Sequence, residues 1–275
     1  MGNSDIFQAI AMMDESTVNM IAERLEYRGS DEKFVAMRNR YFDEINWTDC
    51  RRILDIGCGT GVVTRAIAAH APPEAEVTGS DFSEALIRIA RKKAAAQSLS
   101  SINFVVADGH STEDRPASYD LVVAHTLVSH VADPQKVLSE CARLVKPGGT
   151  VAVFDGDYAS IAFGAGDADE NRTVAAAILK TIVANPTVMR ELPSLMSECG
   201  LQIDGIFADV MVETGPSAFF TGMIDTYIPS VVKAGHLSED FATKWGERQK
   251  AAMASGRFFG SCNFISYVAT RPKVG

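Results

Sequence analysis

Residues 52–64, Arg-Ile-Leu-Asp-Ile-Gly-Cys-Gly-Thr-Gly-Val-Val-Thr, restrict the fold more than any other stretch of this chain. An apolar run carrying one acid, Asp55, passes into Gly57, Gly59 and Gly61 and then into a helical pattern. That is the pattern of a buried strand, a tight turn and the first turn of a helix. Glycine has no Cβ to hold a ligand away from backbone N–H groups, and it tolerates positive φ. In the dinucleotide fingerprint the third glycine falls one residue later, where it closes the helix onto the strand. Here the spacing is tighter, and Asp55 stands where an acid would repel a pyrophosphate and suit a cation. The loop therefore reads as a seat for a nucleoside that carries positive charge.

The rest of the chain supports such a seat. Beyond Arg51, short apolar runs at 52–56, 76–80, 102–106, 119–124 and 149–155 alternate with helical patterns at 61–70, 83–97 and 134–145. This alternation predicts right-handed βαβ units, a parallel sheet and helices on both faces. Ahead of it, apolar residues at threes and fours run from about Asp5 to Ile45: Ile6, Phe7 and Ile10, then Val18, Ile21 and Leu25, then Phe34, Met37 and Tyr41. Gly29-Ser30-Asp31 breaks that run and offers a helix N-cap. After Asp157 the rhythm changes. Residues 168–184 and 187–199 read as helices, 201–214 as a strand, 217–254 as helix interrupted at Pro229 and Gly235, and 259–270 as the last strand.

Ligands of such sheets lie across the carboxyl ends of the strands, so the residues there can be read in order. Asp81, with Phe82 after it, follows the second strand about twenty residues past the glycines, the position of an acid that bonds a ribose diol; its alternative use is to cap the next helix. Ala107-Asp108-Gly109 follows the third strand, and His125 and His130 follow the fourth. Asp155 and Asp157 alternate along the end of the fifth strand, with no clear third ligand for a metal ion.

The string Leu-Asp-Ile-Gly-Cys-Gly-Thr-Gly resembles motif I of the class I S-adenosylmethionine (SAM) methyltransferases. Val-Lys-Pro-Gly-Gly at 145–149 is similar to what that family carries before its fifth strand. The resemblance covers roughly residues 50–155 and is closest to the small-molecule group around ubiquinone/menaquinone and natural-product methyltransferases. It implies an α/β, Rossmann-like sheet of seven strands, mostly parallel with the last strand antiparallel. Residues 1–48 become an N-terminal helical segment over the site, and 49–275 the SAM-binding domain, with a helical insertion at about 216–257. That insertion reads as a cap over the substrate pocket, with homodimerisation its alternative use.

The family's cofactor positions fall on Asp55 near the cofactor amine, on Gly57, Cys58 and Gly59 beneath the methionine and ribose, and on Asp81 and Phe82 at the ribose and adenine. Ala107, Asp108 and Gly109 fall at the adenine edge, and His125 beside the cofactor. Arg28 is placed to pair with the cofactor carboxylate or, equally, to end its helix in solvent. His130, and second to it His125, are the candidates for a general base. Asp157, Tyr158, Phe220 and Met223 are the expected substrate contacts. The implied activity is methyl transfer from SAM to a small apolar or aromatic molecule at oxygen or carbon, yielding S-adenosylhomocysteine (SAH) and needing no metal. A SAM-binding protein without catalysis and an NAD(P)-dependent oxidoreductase are the alternatives. The stretch 120–125, Asp-Leu-Val-Val-Ala-His, lacks the Asn-Pro-Pro-Tyr string of amine- and base-methylating enzymes.

Composition narrows the setting. A net charge of −9 argues against a general nucleic-acid binder. No apolar run approaches the ~20 residues of a membrane span. Five scattered cysteines, without a Cys-x-x-Cys pair, fit a reducing cytoplasm.

Overall fold

The computed structural model describes residues 15–99 and 101–273. Ile6, Phe7 and Ile10, which open the N-terminal helical pattern, lie outside the described residues. The described chain begins with α1 (Glu15–Ser30) and α2 (Glu32–Phe42). Asp31 separates them as the N-cap of α2, its carboxylate accepting the amides of Lys33 and Phe34. There follow β1 (Arg52–Ile56), α3 (Val62–His70), β2 (Glu76–Asp81), α4 (Glu84–Ala96), β3 (Asn103–Val106), β4 (Tyr119–His125), α5 (Pro134–Leu144) and β5 (Val145–Phe163). The distal part comprises α6 (Ala168–Ile182), α7 (Val188–Glu198), β6 (Gln202–Thr214), α8 (Ala218–Lys233), α9 (Glu239–Ala254) and β7 (Phe259–Thr270).

The seven strands form one sheet in the order β3-β2-β1-β4-β5-β7-β6. The first five are parallel, and β7 runs antiparallel to both of its neighbours. From β1 the chain winds outward to β3, then returns to place β4 on the other side of β1. This reversal leaves a crevice at the carboxyl ends of β1 and β4, where α/β sheets bind ligands. Side chains alternate across the sheet, so Ile53 and Leu54, both essentially unexposed, enter the cores on opposite faces. Burial on both faces explains why the central strands read as nearly unbroken apolar runs.

The helix α1 lies over the sheet's carboxyl edge. Val18, Ile21 and Ala22 pack on Leu86 of α4, and each large aliphatic side chain so buried contributes about 1.5–3 kcal/mol. The Arg65 guanidinium of α3 ties this roof down by donating to the Thr60 carbonyl at 2.9 Å and to Glu26 of α1 at 2.8 Å.

Three local expectations differ from the structure. Pro147-Gly148-Gly149, expected to precede the fifth strand, forms an outward loop within β5: Tyr119 pairs with Val145, and Leu121 already with Thr150. Pro229 does not interrupt its helix; α8 passes through it to Lys233, and the chain turns at Gly235, whose φ is +76°. Strand β5 also continues past 155 to Phe163, pairing with β7 over Thr150–Asp157 and, after an irregular stretch, again at Ala162 and Phe163.

Candidate active site

At the carboxyl ends of β1, β2, β3 and β4 the structure encloses a cavity of about 310 Å³. Its floor is the loop between β1 and α3. Gly57, Gly59 and Gly61 all adopt left-handed backbone angles, with φ of 74°, 55° and 71°. A Cβ on Gly57 would stand 2.5 Å from Leu127 Cδ1, and one on Gly61 2.6 Å from the Phe104 ring. Backbone angle and lack of space both demand glycine at these two positions.

Two acids flank the loop. The Asp81 carboxylate accepts the Gly59 amide at 2.9 Å and the Ser83 amide at 2.8 Å. It therefore clamps the glycine loop to the start of α4, and each oxygen keeps further acceptor capacity. Asp55 is 1% exposed. One of its oxygens accepts the Thr64 hydroxyl at 2.6 Å, and the other, Oδ1, is buried with no partner. Burial, reinforced by the charge of Asp81 and only partly offset by Thr64, pushes its pKa up to about 7. A carboxyl held in this condition favours a cation beside it.

On the other side of the cavity, Asp108 accepts the His110 amide at 2.9 Å and the His110 ring nitrogen Nδ1 approaches it at 2.6 Å. Partial burial opposes ionisation of Asp108, but these contacts outweigh it and hold the carboxyl below its ordinary range. His125 ends β4. Its Nδ1 lies 2.9 Å from the Tyr41 hydroxyl, and its ring stacks on Phe154 with centroids 4.4 Å apart. Burial, then the nearby charges of Arg28 and Arg38, depress its pKa well below the usual imidazole value. His125 is thus a neutral imidazole at physiological pH, with one nitrogen held by Tyr41.

Next to it Thr126 has φ of +56°, an unfavourable angle for a β-branched residue. A 2.6 Å hydrogen bond from its amide to the Phe154 carbonyl holds it there. Strain of this kind costs about 1–3 kcal/mol and gathers at functional sites. His130 lines the cavity one turn further on, its ring edge-on to Tyr158 at 5.8 Å. Asp155, unexposed within β5, accepts the amides of Ser129 and Gly156 and interacts electrostatically with His130. Leu25, Arg28 and Gly29 of α1 close the cavity from above.

Every residue expected at the cofactor lines this one cavity: Arg28, Asp55, Gly57, Cys58, Gly59, Asp81, Phe82, Ala107, Asp108, Gly109 and His125. Asp81 bonds the Ser83 amide, but the cap of α4 is Ser83 itself, whose hydroxyl accepts the Leu86 amide. Arg28 is 8% exposed and lies over the rings of Phe34 and Phe264, so it is not a solvated helix end. The expected substrate residues are elsewhere. Asp157 is 5% exposed and pairs with Arg190 through two 2.9 Å hydrogen bonds. Phe220 packs edge-on to Phe163, and Met223 is fully buried in the same core. Tyr158 is buried behind His130 and does not line the cavity.

None of residues 216–257 lines this cavity; the side chains of α8 and α9 are spent on a core with α6 and the long end of β5. Sequence reasoning passed over Tyr41, Thr126 and His110. Tyr41 reads as one more apolar position of α2, because its partner is 84 residues away. Among the described residues no three His, Cys, Asp or Glu side chains form a metal cluster, and no helix is long and apolar enough to cross a membrane.

Known proteins resemble this chain in sequence and in fold. Residues 53–149 match the model of a methyltransferase domain. The ubiquinone biosynthesis O-methyltransferase of Coxiella burnetii is 36% identical over 113 residues, which are 41% of this chain and 47% of that protein. The chain thus spans about half the length of the curated relatives it matches first. Among solved structures, a Haemonchus contortus phosphoethanolamine N-methyltransferase in complex with S-adenosylhomocysteine superposes with a TM-score of 0.58 at 17% identity, covering 97% of this chain and 60% of that one. A Streptomyces coelicolor geranyl diphosphate C-methyltransferase, also in complex with S-adenosylhomocysteine, gives 0.53 at 15%, covering 86% and 76%. Residues 53–149 thus match a methyltransferase domain, and the sheet around them has the Rossmann-like fold of these solved methyltransferases.

Proposed function

We propose that this protein transfers a methyl group from SAM to a small, apolar or aromatic molecule at oxygen or carbon. The observation that carries the reading is the cavity itself. The left-handed Gly57 and Gly59, two raised carboxyls and a neutral histidine converge on one cavity at the switch point of the sheet.

The residues present fit that cofactor. The buried, unpartnered Oδ1 of Asp55 suits the cationic end of an amino acid, and the free acceptor capacity of Asp81 suits a ribose diol. Asp108, Ala107 and Gly109 would take the adenine edge, with Phe82 beside it. Arg28 would pair with the cofactor carboxylate as a guanidinium fork. When bound, SAM supplies a methyl group on a positively charged sulfur.

The protein's own part is alignment and proton removal. Holding reactants in register lowers a barrier by as much as ~7–11 kcal/mol in well-oriented cases. His130, at the cavity wall and backed by Asp155, is the base we assign to take the acceptor's proton. His125 stays neutral and fixed by Tyr41, which suits it to orient the acceptor. The test is turnover: incubation with SAM and a panel of phenols, enols and activated carbon acids, read as SAH formed. SAH above background with at least one acceptor supports the reading. SAM that binds without turnover across the panel leaves only a SAM-binding protein.

A further inference from the structure

A second, smaller crevice of about 20 Å³ lies between α1 and α8, lined by Met20, Ile21, Arg24, Thr226 and Tyr227 and, on its inner side, by Leu25 and Arg28. Leu25 and Arg28 also line the large cavity, so these two side chains are the partition between the spaces. Arg24 and Arg28 are one helical turn apart and present two guanidinium groups to the same region. Among the described residues neither has a carboxylate within ion-pair distance, whereas Arg65, Arg190 and Arg248 each do. Arg24 spends one N–H on the Thr226 hydroxyl at 2.7 Å and lies 4.1 Å above the Tyr227 ring. Arg28 rests over two phenyl rings, and although burial works against its charge, Tyr158, Tyr227 and the charge of Asp155 outweigh that and favour it.

Two adjacent guanidinium groups withdrawn from water repel each other and forgo hydration, an arrangement that is costly without an anion. Burial, and the charge of Arg28, both work against the charge on Arg24, while Tyr227 works for it. The proposed cofactor carboxylate neutralises Arg28. One positive charge, that of Arg24, is left over in the wall of an apolar crevice. A guanidinium has five N–H donors in a planar fork, so Arg24 keeps most of its donors for a guest.

We infer that the crevice between α1 and α8 is an anion subsite for the methyl acceptor, in which Arg24, held in place by its bond to the Thr226 hydroxyl (whose own O–H goes to the Gly222 carbonyl), receives a carboxylate carried on an apolar or aromatic body. The carboxylate is favoured over a phosphate by size, because a space of ~20 Å³ admits about one water-sized group. The crevice takes the carboxylate alone, and the apolar body would lie past Leu25 in the large cavity. The insertion between β6 and β7 then contributes to substrate choice through Thr226 and Tyr227, not through Phe220 and Met223. This inference rests on the reading of the large cavity as the SAM site.

The test is calorimetric, on the full chain saturated with SAH. Benzoate, 4-hydroxybenzoate and octanoate are titrated beside their methyl esters, with phenyl phosphate as the alternative anion. At least one carboxylate is expected to bind ten-fold or more tightly than its ester. Arg24→Met, which keeps an apolar stem, should erase that preference, and Arg24→Lys should restore part of it, with SAH affinity within two-fold of the parent in both. If no carboxylate outcompetes its ester, if Arg24→Met keeps the preference, or if phenyl phosphate binds best, the subsite is wrong while the cofactor reading stands. If SAH itself does not bind, both readings fall together.

Discussion

Replacing Asp55 by Asn separates what this residue does for the empty protein from what it does for a ligand. The carboxyl titrates near 7 in the folded chain against an ordinary 3.8. A folded pKa raised in this way means that relative stability is full below 3.8, is lost as pH climbs toward 7 and is level above it. At ~1.4 kcal/mol for each pH unit, the interval is worth about 4 kcal/mol. Asparagine keeps an oxygen for the Thr64 hydroxyl and carries no charge, so it escapes this loss. Its NH₂ replaces the oxygen that lacks a partner, and an unsatisfied buried donor returns about 1–3 kcal/mol. Asp55→Asn should therefore be more stable than the parent by roughly 1–3 kcal/mol at pH 8, from the difference of these two effects.

The assay is urea unfolding of both proteins, without ligand, at intervals from pH 5 to 9. The advantage of the variant should grow by ~1.4 kcal/mol per unit up to about pH 7 and then stop growing. The same variant should bind SAM about ten-fold more weakly, a loss of ~1.4 kcal/mol, because the cationic end of the ligand loses its carboxylate. A stability difference that does not vary with pH, or unchanged SAM affinity, would refute the reasoning about this residue.

Other outcomes follow from the same geometry. Gly61→Ala places a Cβ against the Phe104 ring at a left-handed backbone angle; adding ~1–2 kcal/mol for the angle to ~1–3 for the overlap, it should destabilise by about 2–5 kcal/mol in denaturant unfolding, and a loss under 1 would contradict it. Asp81→Ala should weaken SAM binding by at least ~1 kcal/mol in calorimetry, and unchanged affinity would remove Asp81 from the site. His130→Ala should lower kcat by about 10²–10⁴ with SAM affinity retained; an intact kcat would show that His130 is not the base.

Much of this was legible because the fold is written in local patterns. The strand–glycine–helix passage at 52–64, the alternation beyond it and the acids after successive strands each announce themselves within a few residues. Once the sheet places all strand ends along one edge, Asp55, Asp81, Asp108 and His125 must meet there. What the sequence did not disclose depends on distant partners. Tyr41 looks like core until His125 is set beside it, and nothing in Leu-Val-Ser-His indicates that Thr126 takes a left-handed angle. Asp157 and Tyr158 follow a strand end, as a substrate contact would, but Arg190 of α7 claims the first and burial the second. Phe220 and Met223 fit a pocket lip as well as a core by pattern alone; the packing of α8 on α6 and Phe163 decides for the core.

The most direct measurement is a calorimetric titration of the unmodified chain with SAM, SAH and NAD. The account predicts that SAM and SAH bind at one site per chain, competitively with each other, and that NAD gives no saturable heat. Saturable binding of NAD with no response to SAM would contradict it.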